Sequence, residues 1–149
     1  MLLKNKLDEV KTFLDNRNVL AKLEERYCYS VDASNIAKGQ VPDLVVFVET
    51  IEDVCSILKY ANEHEIPVVA RGAGTNMVGA CVCTNGGIVL NFSKMNKILD
   101  LNTCNMTATV QPGVVLGDLK KIASDAGLFF PPDPSNFKVS TIGGGIAQS

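Results

Sequence analysis

Two glycine-rich stretches hold the residues whose types and spacing could do chemistry. The first is Arg71-Gly72-Ala73-Gly74-Thr75-Asn76-Met77-Val78-Gly79-Ala80, which leaves directly from an apolar run of strand character. Small residues in such a place let successive backbone N–H groups converge, and that concavity accepts phosphate or another anion. Two nucleotide motifs come close and both fail. Gly74 and Gly79 have P-loop spacing, but Ala80-Cys81 stands where Lys and Ser/Thr are required. Gly72 and Gly74 begin a dinucleotide fingerprint, but Met77 occupies its third glycine. The second stretch is Pro131-Pro132-Asp133-Pro134-Ser135, followed by Ser140-Thr141-Ile142-Gly143-Gly144-Gly145-Ile146-Ala147. Its prolines pre-shape a loop that has little entropy left to lose. Its triple glycine permits close approach of backbone to a ligand or to another strand. Either stretch alone would serve as a tight turn. The two together in one small domain point to a ligand site.

The other reactive side chains are less pointed. Arg71 is the one cation of the first loop, with a salt bridge, loop fixing or phosphate contact open to it. Asp133, the only carboxylate inside the suspected site, reads as ordering the proline turn rather than transferring protons. His64 lies between Glu63 and Glu65 at a helix end, where the helix dipole favours an exposed imidazole. Five cysteines at irregular spacing (Cys28, Cys55, Cys81, Cys83, Cys104) make a poor disulfide framework, so reduced thiols are expected. Cys81-Val82-Cys83 lacks the spacing and ligand number of structural zinc. These thiols read as buried or loop residues, with Cys55 in the core.

The elements that must position the glycine stretches follow from periodicity. Leu3, Leu7, Val10 and Leu14 predict an amphipathic helix over 3–14, and a second short helix is expected over 18–25. Residues 27–40 read as an extended loop, long enough to suggest a function. Leu44 to Val48 is an apolar run suited to a strand covered on both faces. Thr50 with Asp53 forms a capping-box pattern ahead of a helix whose stripe is Ile51, Val54, Ile57, Leu58 and Ala61. Pro67 ends that helix near His64, and Ile66 to Ala70 completes a βαβ unit. Further strands are expected over 87–92, 98–101 and 107–111, the last with one wetter face. A helix over 115–126 follows, with Leu116, Leu119, Ile122 and Ala123 inward and Gly127 ending it, and another helix begins after Gly145. The expected fold class is α+β, a mixed sheet with a βαβ unit and flanking helices.

Composition sets the outer bounds. An apolar content of 46% with 20% charged residues excludes a disordered chain. A net charge of −2 without any basic run speaks against nucleic acid. The longest apolar run, Leu44 to Val48, is far too short to span a membrane, and the first residues offer no signal-peptide core. A cytoplasmic protein is the expectation.

Several segments occur here in a characteristic order. They are Pro42-Asp43-Leu44-Val45-Val46, the Arg-Gly-Ala-Gly-Thr loop, Val89 to Met95 with Asn96-Lys97-Ile98-Leu99, Gln111-Pro112-Gly113, Pro-Pro-Asp-Pro-Ser and Ser-Thr-Ile-Gly-Gly. Over residues 27–149 this order resembles the N-terminal part of the FAD-linked oxidases of the vanillyl-alcohol oxidase and p-cresol methylhydroxylase superfamily. Within it, the glycolate oxidase large subunit and D-lactate dehydrogenase group is most similar. The resemblance implies the first subdomain of a PCMH-type FAD-binding domain over 27–149, preceded by a helical segment over 1–26. It implies that Arg71, Gly72, Ala73, Gly74, Thr75, Asn76, Gly79 and Ala80 hold the FAD pyrophosphate. Pro132, Asp133, Ser135, Thr141, Gly143 and Gly144 would line the flavin and ribityl region. Some relatives attach flavin through a histidine in the first loop; here Thr75 and Asn76 occupy that place, so FAD would be held non-covalently.

The activity so implied is oxidation of a small 2-hydroxy acid, of the glycolate or D-lactate type, to the 2-oxo acid by hydride transfer to flavin. Electrons would leave to an acceptor protein or quinone. A cell-wall precursor reductase with a similar domain, or a chain without cofactor or activity of its own, is the alternative. The resemblance also implies a longer protein, in which the second subdomain and the substrate domain carry the catalytic residues. The chain alone would then bind FAD weakly or not at all, and would self-associate through the apolar face meant for the missing half.

Overall fold

The computed structural model describes residues 9–10, 12, 18–34 and 39–148. The helix expected over 3–14 falls mostly outside them. The described chain runs β1 (Val19–Leu20), α1 (Leu23–Tyr27), β2 (Leu44–Phe47), α2 (Ile51–Glu63), β3 (Val68–Arg71), β4 (Ile88–Asn91), β5 (Ile98–Asn102), β6 (Thr107–Val110), α3 (Leu116–Asp125) and α4 (Ile142–Ala147). Where one helix was expected over 18–25, a two-residue strand precedes a short helix. Val19 and Leu20 pair with Val46 and Val45 instead of continuing a helix.

The main sheet has the order β1-β2-β4-β3, with β1 antiparallel and the other three parallel. It is the mixed sheet of an α+β fold. Strand β4 lies in the middle and all its residues are buried, which is why Ile88, Val89 and Leu90 form an unbroken apolar run. The period of two splits the side chains between faces. Leu44, Val46, Ile88 and Leu90 pack with Ile57, Ala61, Ile66 and Met95 beneath α2. Val45 and Val89 turn the other way, against Cys83 with Tyr29, Phe47 and Val69 beside them.

Helix α2 starts at the expected capping box. The Asp53 amide donates to Thr50 Oγ1 at 3.1 Å and the Thr50 amide to Asp53 Oδ2 at 3.0 Å. A cap of this kind stabilises by about 1 kcal/mol. The buried stripe is narrower than expected: Ile57 and Ala61 are covered, whereas Ile51, Leu58 and Cys55 are exposed. Cys55 is two positions from Ile57, hence about 200° around the helix and away from the sheet. The helix closes at His64, whose ring packs on Tyr60 at 4.2 Å between centroids, and Glu65 takes a φ of 55° to reverse the chain.

Strands β5 and β6 form a separate two-stranded sheet with an irregularity between Ile98 and Asp100. Thr107, Ala108 and Thr109 are all exposed, so the expected contrast between a dry and a wet face is lost where the hairpin leaves the core. Helix α3 buries Leu116, Leu119 and Ala123, while Ile122 sits at its margin and stays exposed. Gly127 ends it with a φ of 74°. Helix α4 starts at Ile142, before the triple glycine rather than after it, with Thr141 as its N-cap. Among the described residues no helix is long and apolar enough to cross a membrane.

Candidate functional site

The parallel strands β2, β4 and β3 end level with one another, at Phe47, Asn91 and Arg71. Ligands of open α/β sheets bind outside such carboxyl ends, and the loops here are knotted together by main-chain bonds. The Phe92 amide donates to Arg71 O at 2.9 Å, Met95 to Phe92 O at 3.0 Å, Gly113 to Met95 O at 2.8 Å and Gly143 to Pro112 O at 2.9 Å. Gly113 is required by that approach, because a Cβ there would lie 2.0 Å from Phe92 O. Four segments distant in sequence thus meet at one place.

Between them lies a cleft of about 630 Å³, within the range of small-molecule sites. Its wall includes Arg71, Gly72, Ala73, Gly74, Thr75, Asn76 and Ala80 from the loop after β3, and Thr141, Gly143 and Gly144 from the start of α4. The two glycine-rich stretches touch at Gly72, where an added Cβ would stand 2.3 Å from Thr141 Oγ1. Gly79, Pro132, Asp133 and Ser135 lie outside this wall. Asp133 instead accepts from Lys120 Nζ of α3 at 2.6 Å, and that ammonium also lies over the Phe137 ring at 5.2 Å. The proline loop is thereby fixed to α3. The segment after it does related work, because the carbonyls of Phe137 and Ser140 accept from the amides of Gly117 and Leu116 and so cap α3.

The wall's chemistry is one-sided. Among the described residues it contains no Asp or Glu, and Arg71 is the only cation. Among the described residues, the amides of Ala73, Gly74, Thr75, Asn76 and Met77 donate to no protein acceptor. Five successive main-chain donors beside a cleft without carboxylates will favour an anion. Val69, Phe92, Pro112 and Leu116 supply an apolar floor for a flat ring.

Among the described residues Arg71 makes no ion pair. Its Nη1 donates to Val31 O at 2.8 Å and its guanidinium lies 5.3 Å from the centroid of the Tyr29 ring. Asn76 folds the loop's far end: Oδ1 accepts from the amides of Val78 and Ala80, and Nδ2 donates to Cys81 Sγ at 2.9 Å. Burial pulls the nearby Asp32 carboxyl upward, but hydrogen bonds from Ser34 and Asn76 and the charge of Arg71 outweigh it and hold it below its ordinary value. Burial raises the Cys81 thiol, and it pushes Cys83 up to about 11 with help from the Asp43 charge. Both are protonated at neutral pH and are poor nucleophiles. Among the described residues no three His, Cys, Asp or Glu side chains gather where a metal ion could sit.

Sequence reasoning did not assign Phe92, Pro112, Asn136, Ser140 or Cys81 to the cofactor site, and all of them line the cleft. Gln111-Pro112-Gly113 was the readable signal for one of them, since a glycine after a proline at a strand end marks a close backbone approach. Cys81 had none, being placed by a fold in the loop that only Asn76 explains.

The sequence matches the profile of a family described as FAD binding domain, over residues 42–149. The chain is 44% identical over 124 residues to glycolate oxidase subunit GlcD of Bacillus subtilis, covering 83% of this chain and 26% of that one. It is 36% identical over 143 residues to D-2-hydroxyglutarate dehydrogenase of Stutzerimonas stutzeri, covering 96% and 31%. D-lactate dehydrogenase of Anaerostipes hadrus is 41% identical over 108 residues, with 72% and 22% covered. Among solved structures, an alkyldihydroxyacetonephosphate synthase superposes with a TM-score of 0.84 at 25% identity, over 96% of this chain and 28% of that one. Substrate-bound p-cresol methylhydroxylase superposes with a TM-score of 0.72 at 26% identity, over 85% and 25%. The chain therefore spans about a quarter of the length of the curated relatives it matches.

Proposed function

The chain belongs to the family of FAD binding domains, and from that premise we propose that the loop after β3 holds the FAD diphosphate on the amides of residues 73–77. The observation that carries this reading is the run of main-chain donors at residues 73–77 that, among the described residues, meet no protein acceptor and border a cleft wall without carboxylates. Diphosphate needs donors and a wall free of carboxylates, and among the described residues the cleft offers both, with Asp32 behind the loop rather than in the wall. The isoalloxazine ring would rest toward Phe92, Pro112 and Leu116, with Thr141, Gly143 and Gly144 at its edge. Gly79 shapes the loop from outside the cleft, and Pro132, Asp133 and Ser135 hold the far loop in place. Attachment would be non-covalent: the chain's one histidine, His64, is packed on Tyr60 at the end of α2 and does not line the cleft.

We place this domain, residues 27–149 with a preceding segment, in an oxidoreductase acting on a small 2-hydroxy acid. Glycolate, D-lactate and D-2-hydroxyglutarate, named in three relatives, share that group. Bound FAD supplies the two-electron acceptor that oxidation to a 2-oxo acid requires. This chain's residues would bind and orient it, with electrons passing on to an acceptor protein or quinone.

The test is a fluorescence titration of the chain with FAD and, separately, with riboflavin, which has the ring but no phosphate. FAD is expected to bind at least about tenfold more tightly, because charge-assisted bonds to main-chain donors are lost with riboflavin. Equal affinities would remove the diphosphate cradle. Binding of neither would show that residues 73–77 do not suffice.

A further inference from the structure

The amides of residues 73–77 have no internal acceptor among the described residues, so no hydrogen bond of their own holds them in a converging arrangement. Their shape has to be imposed from behind. We propose that residues 29–34 are a brace doing this, with Tyr29, Asp32 and Arg71 as positioning residues for the ligand loop; the proposal rests on reading residues 73–77 as the diphosphate cradle.

The brace grips the loop at both ends. At the near end, Arg71 of the cleft wall donates to Val31 O at 2.8 Å, with its guanidinium against Tyr29. Tyr29 is itself seated, its ring meeting Phe47 edge-on at 6.2 Å beside Val45, Cys83 and Val89. The guanidinium lies under the turn at Gly74, where a Cβ would stand 2.3 Å from Nη2 and φ is 73°. The Ala33 amide donates to Gly74 O at 3.2 Å. At the far end, Asp32 accepts from the Ser34 amide at 2.8 Å and from the Asn76 side chain. Asn76 Nδ2 donates to Cys81 Sγ at 2.9 Å, the Cys81 thiol donates to Asp32 Oδ2 at 3.9 Å, and the Asn76 oxygen accepts from the N–H groups of Val78 and Ala80. Farther along, the Gln40 amide donates to Cys83 O at 2.7 Å, and Gly39 fits so tightly that a Cβ would meet Val82 at 2.1 Å. Residues 29–34 and 39–40 thus contact the stretch from Gly74 to Cys83. Tyr29, Val31, Asp32 and Ala33 are absent from the cleft wall, so their influence on a ligand would act through the loop.

A planar guanidinium that stacks on a ring and donates to a carbonyl is not replaced by an ammonium of equal charge. Cys81 offers a reporter, since it lies under the loop at 6% exposure, while Cys83 at 0% lies deeper and Cys55 is exposed. Iodoacetamide labelling of the whole chain, read at each cysteine by mass spectrometry, compares wild type with Arg71→Lys and Tyr29→Leu. Neither variant alters the charge near Cys81. Both are expected to label Cys81 about tenfold faster relative to Cys55, with Cys83 still protected, as for a local opening. Unchanged Cys81 protection in both variants would overturn the brace. So would Cys83 reacting in step with Cys81 in both, since these residues would then hold the whole fold rather than the loop.

An FAD titration of the same proteins separates the brace from the cradle. Both variants should bind FAD about tenfold more weakly, a cost of the loop visiting incompetent shapes. An Arg71→Lys protein with wild-type labelling and wild-type affinity would show that charge alone suffices, against the brace. If wild type binds no FAD, residues 73–77 do not suffice as a cradle in this chain, and the labelling still decides whether the brace exists.

Discussion

In residues 72–80 the amides of Ala73 to Met77 meet no protein acceptor among the described residues, whereas in residues 142–145 every amide is used. Ile142 donates to Val114 O at 2.8 Å, Gly143 to Pro112 O at 2.9 Å, Gly144 to Thr141 Oγ1 at 3.4 Å and Gly145 to Thr141 O at 2.9 Å. The glycines differ in the same way. Gly74 and Gly79 have φ of 73° and 76°, and the atoms nearest a Cβ on Gly74 belong to the movable Arg71 side chain. None of Gly143, Gly144 and Gly145 has a positive φ, and a Cβ on Gly143 would press on Pro112, 2.7 Å from its Cβ and 3.0 Å from its carbonyl oxygen. One stretch is glycine-rich for conformation and open donors, the other for packing. Glycine content alone does not mark a ligand site; unspent donors do.

That contrast is broken most forcefully at Gly143. A methyl group there must displace main chain at Pro112, and overpacking of this kind costs about 2 kcal/mol. For a chain of this size Gly143→Ala should lower the melting temperature by roughly 4–8 °C in a calorimetric scan. FAD affinity below the transition should change much less than stability. A variant with wild-type melting would mean that Pro112 can yield, and the packing role of the triple glycine would go.

Gly74→Ala tests the other side. The left-handed φ costs a non-glycine residue about 1 kcal/mol, a smaller loss of stability than at Gly143. Here the ligand should suffer more than the fold, because the new Cβ evicts the Arg71 guanidinium and disturbs the open amides. Titration with FAD beside a thermal scan gives both numbers. If affinity and stability fall in equal proportion, the loop is a structural turn like its counterpart.

Much of this arrangement was legible in local residue patterns. The apolar run at Leu44, the Thr50–Asp53 box and Gly127 each declare themselves within a few positions, and each element stands where those signals put it. What stayed hidden depended on partners far along the chain. Val19 and Leu20 form a strand only because Val45 and Val46 offer an edge, and two residues carry no period. Strand patterns at 98–101 and 107–111 could not say that these two would pair with each other and leave the main sheet. Helix α4 runs through three glycines, poor helix formers, because Thr141 caps it and Val114 and Pro112 bind its first turn. For the candidate site, the sequence marked the loop after β3 and the start of α4 but not Phe92 or Cys81, which reach the cleft through long-range main-chain ties and one asparagine fold.

The smallest effect is expected at Asp133, and it sharpens the boundary between the two stretches. Its carboxylate is 67% exposed and pairs with Lys120 beyond the cleft wall. A solvent-exposed pair contributes at most about 1 kcal/mol and is screened by salt. Asp133→Asn should therefore lower the melting temperature by no more than about 3 °C in dilute buffer, with the difference closing as salt is added. FAD affinity should stay at the wild-type value, since the pair only ties the proline loop to α3. An Asp133→Asn protein that melts normally but loses FAD would place the Asp133 carboxylate, beside the cleft-lining Pro134, among the ligand contacts. The division drawn here, open donors on one stretch and packing on the other, would then have to include a carboxylate turned toward the cofactor.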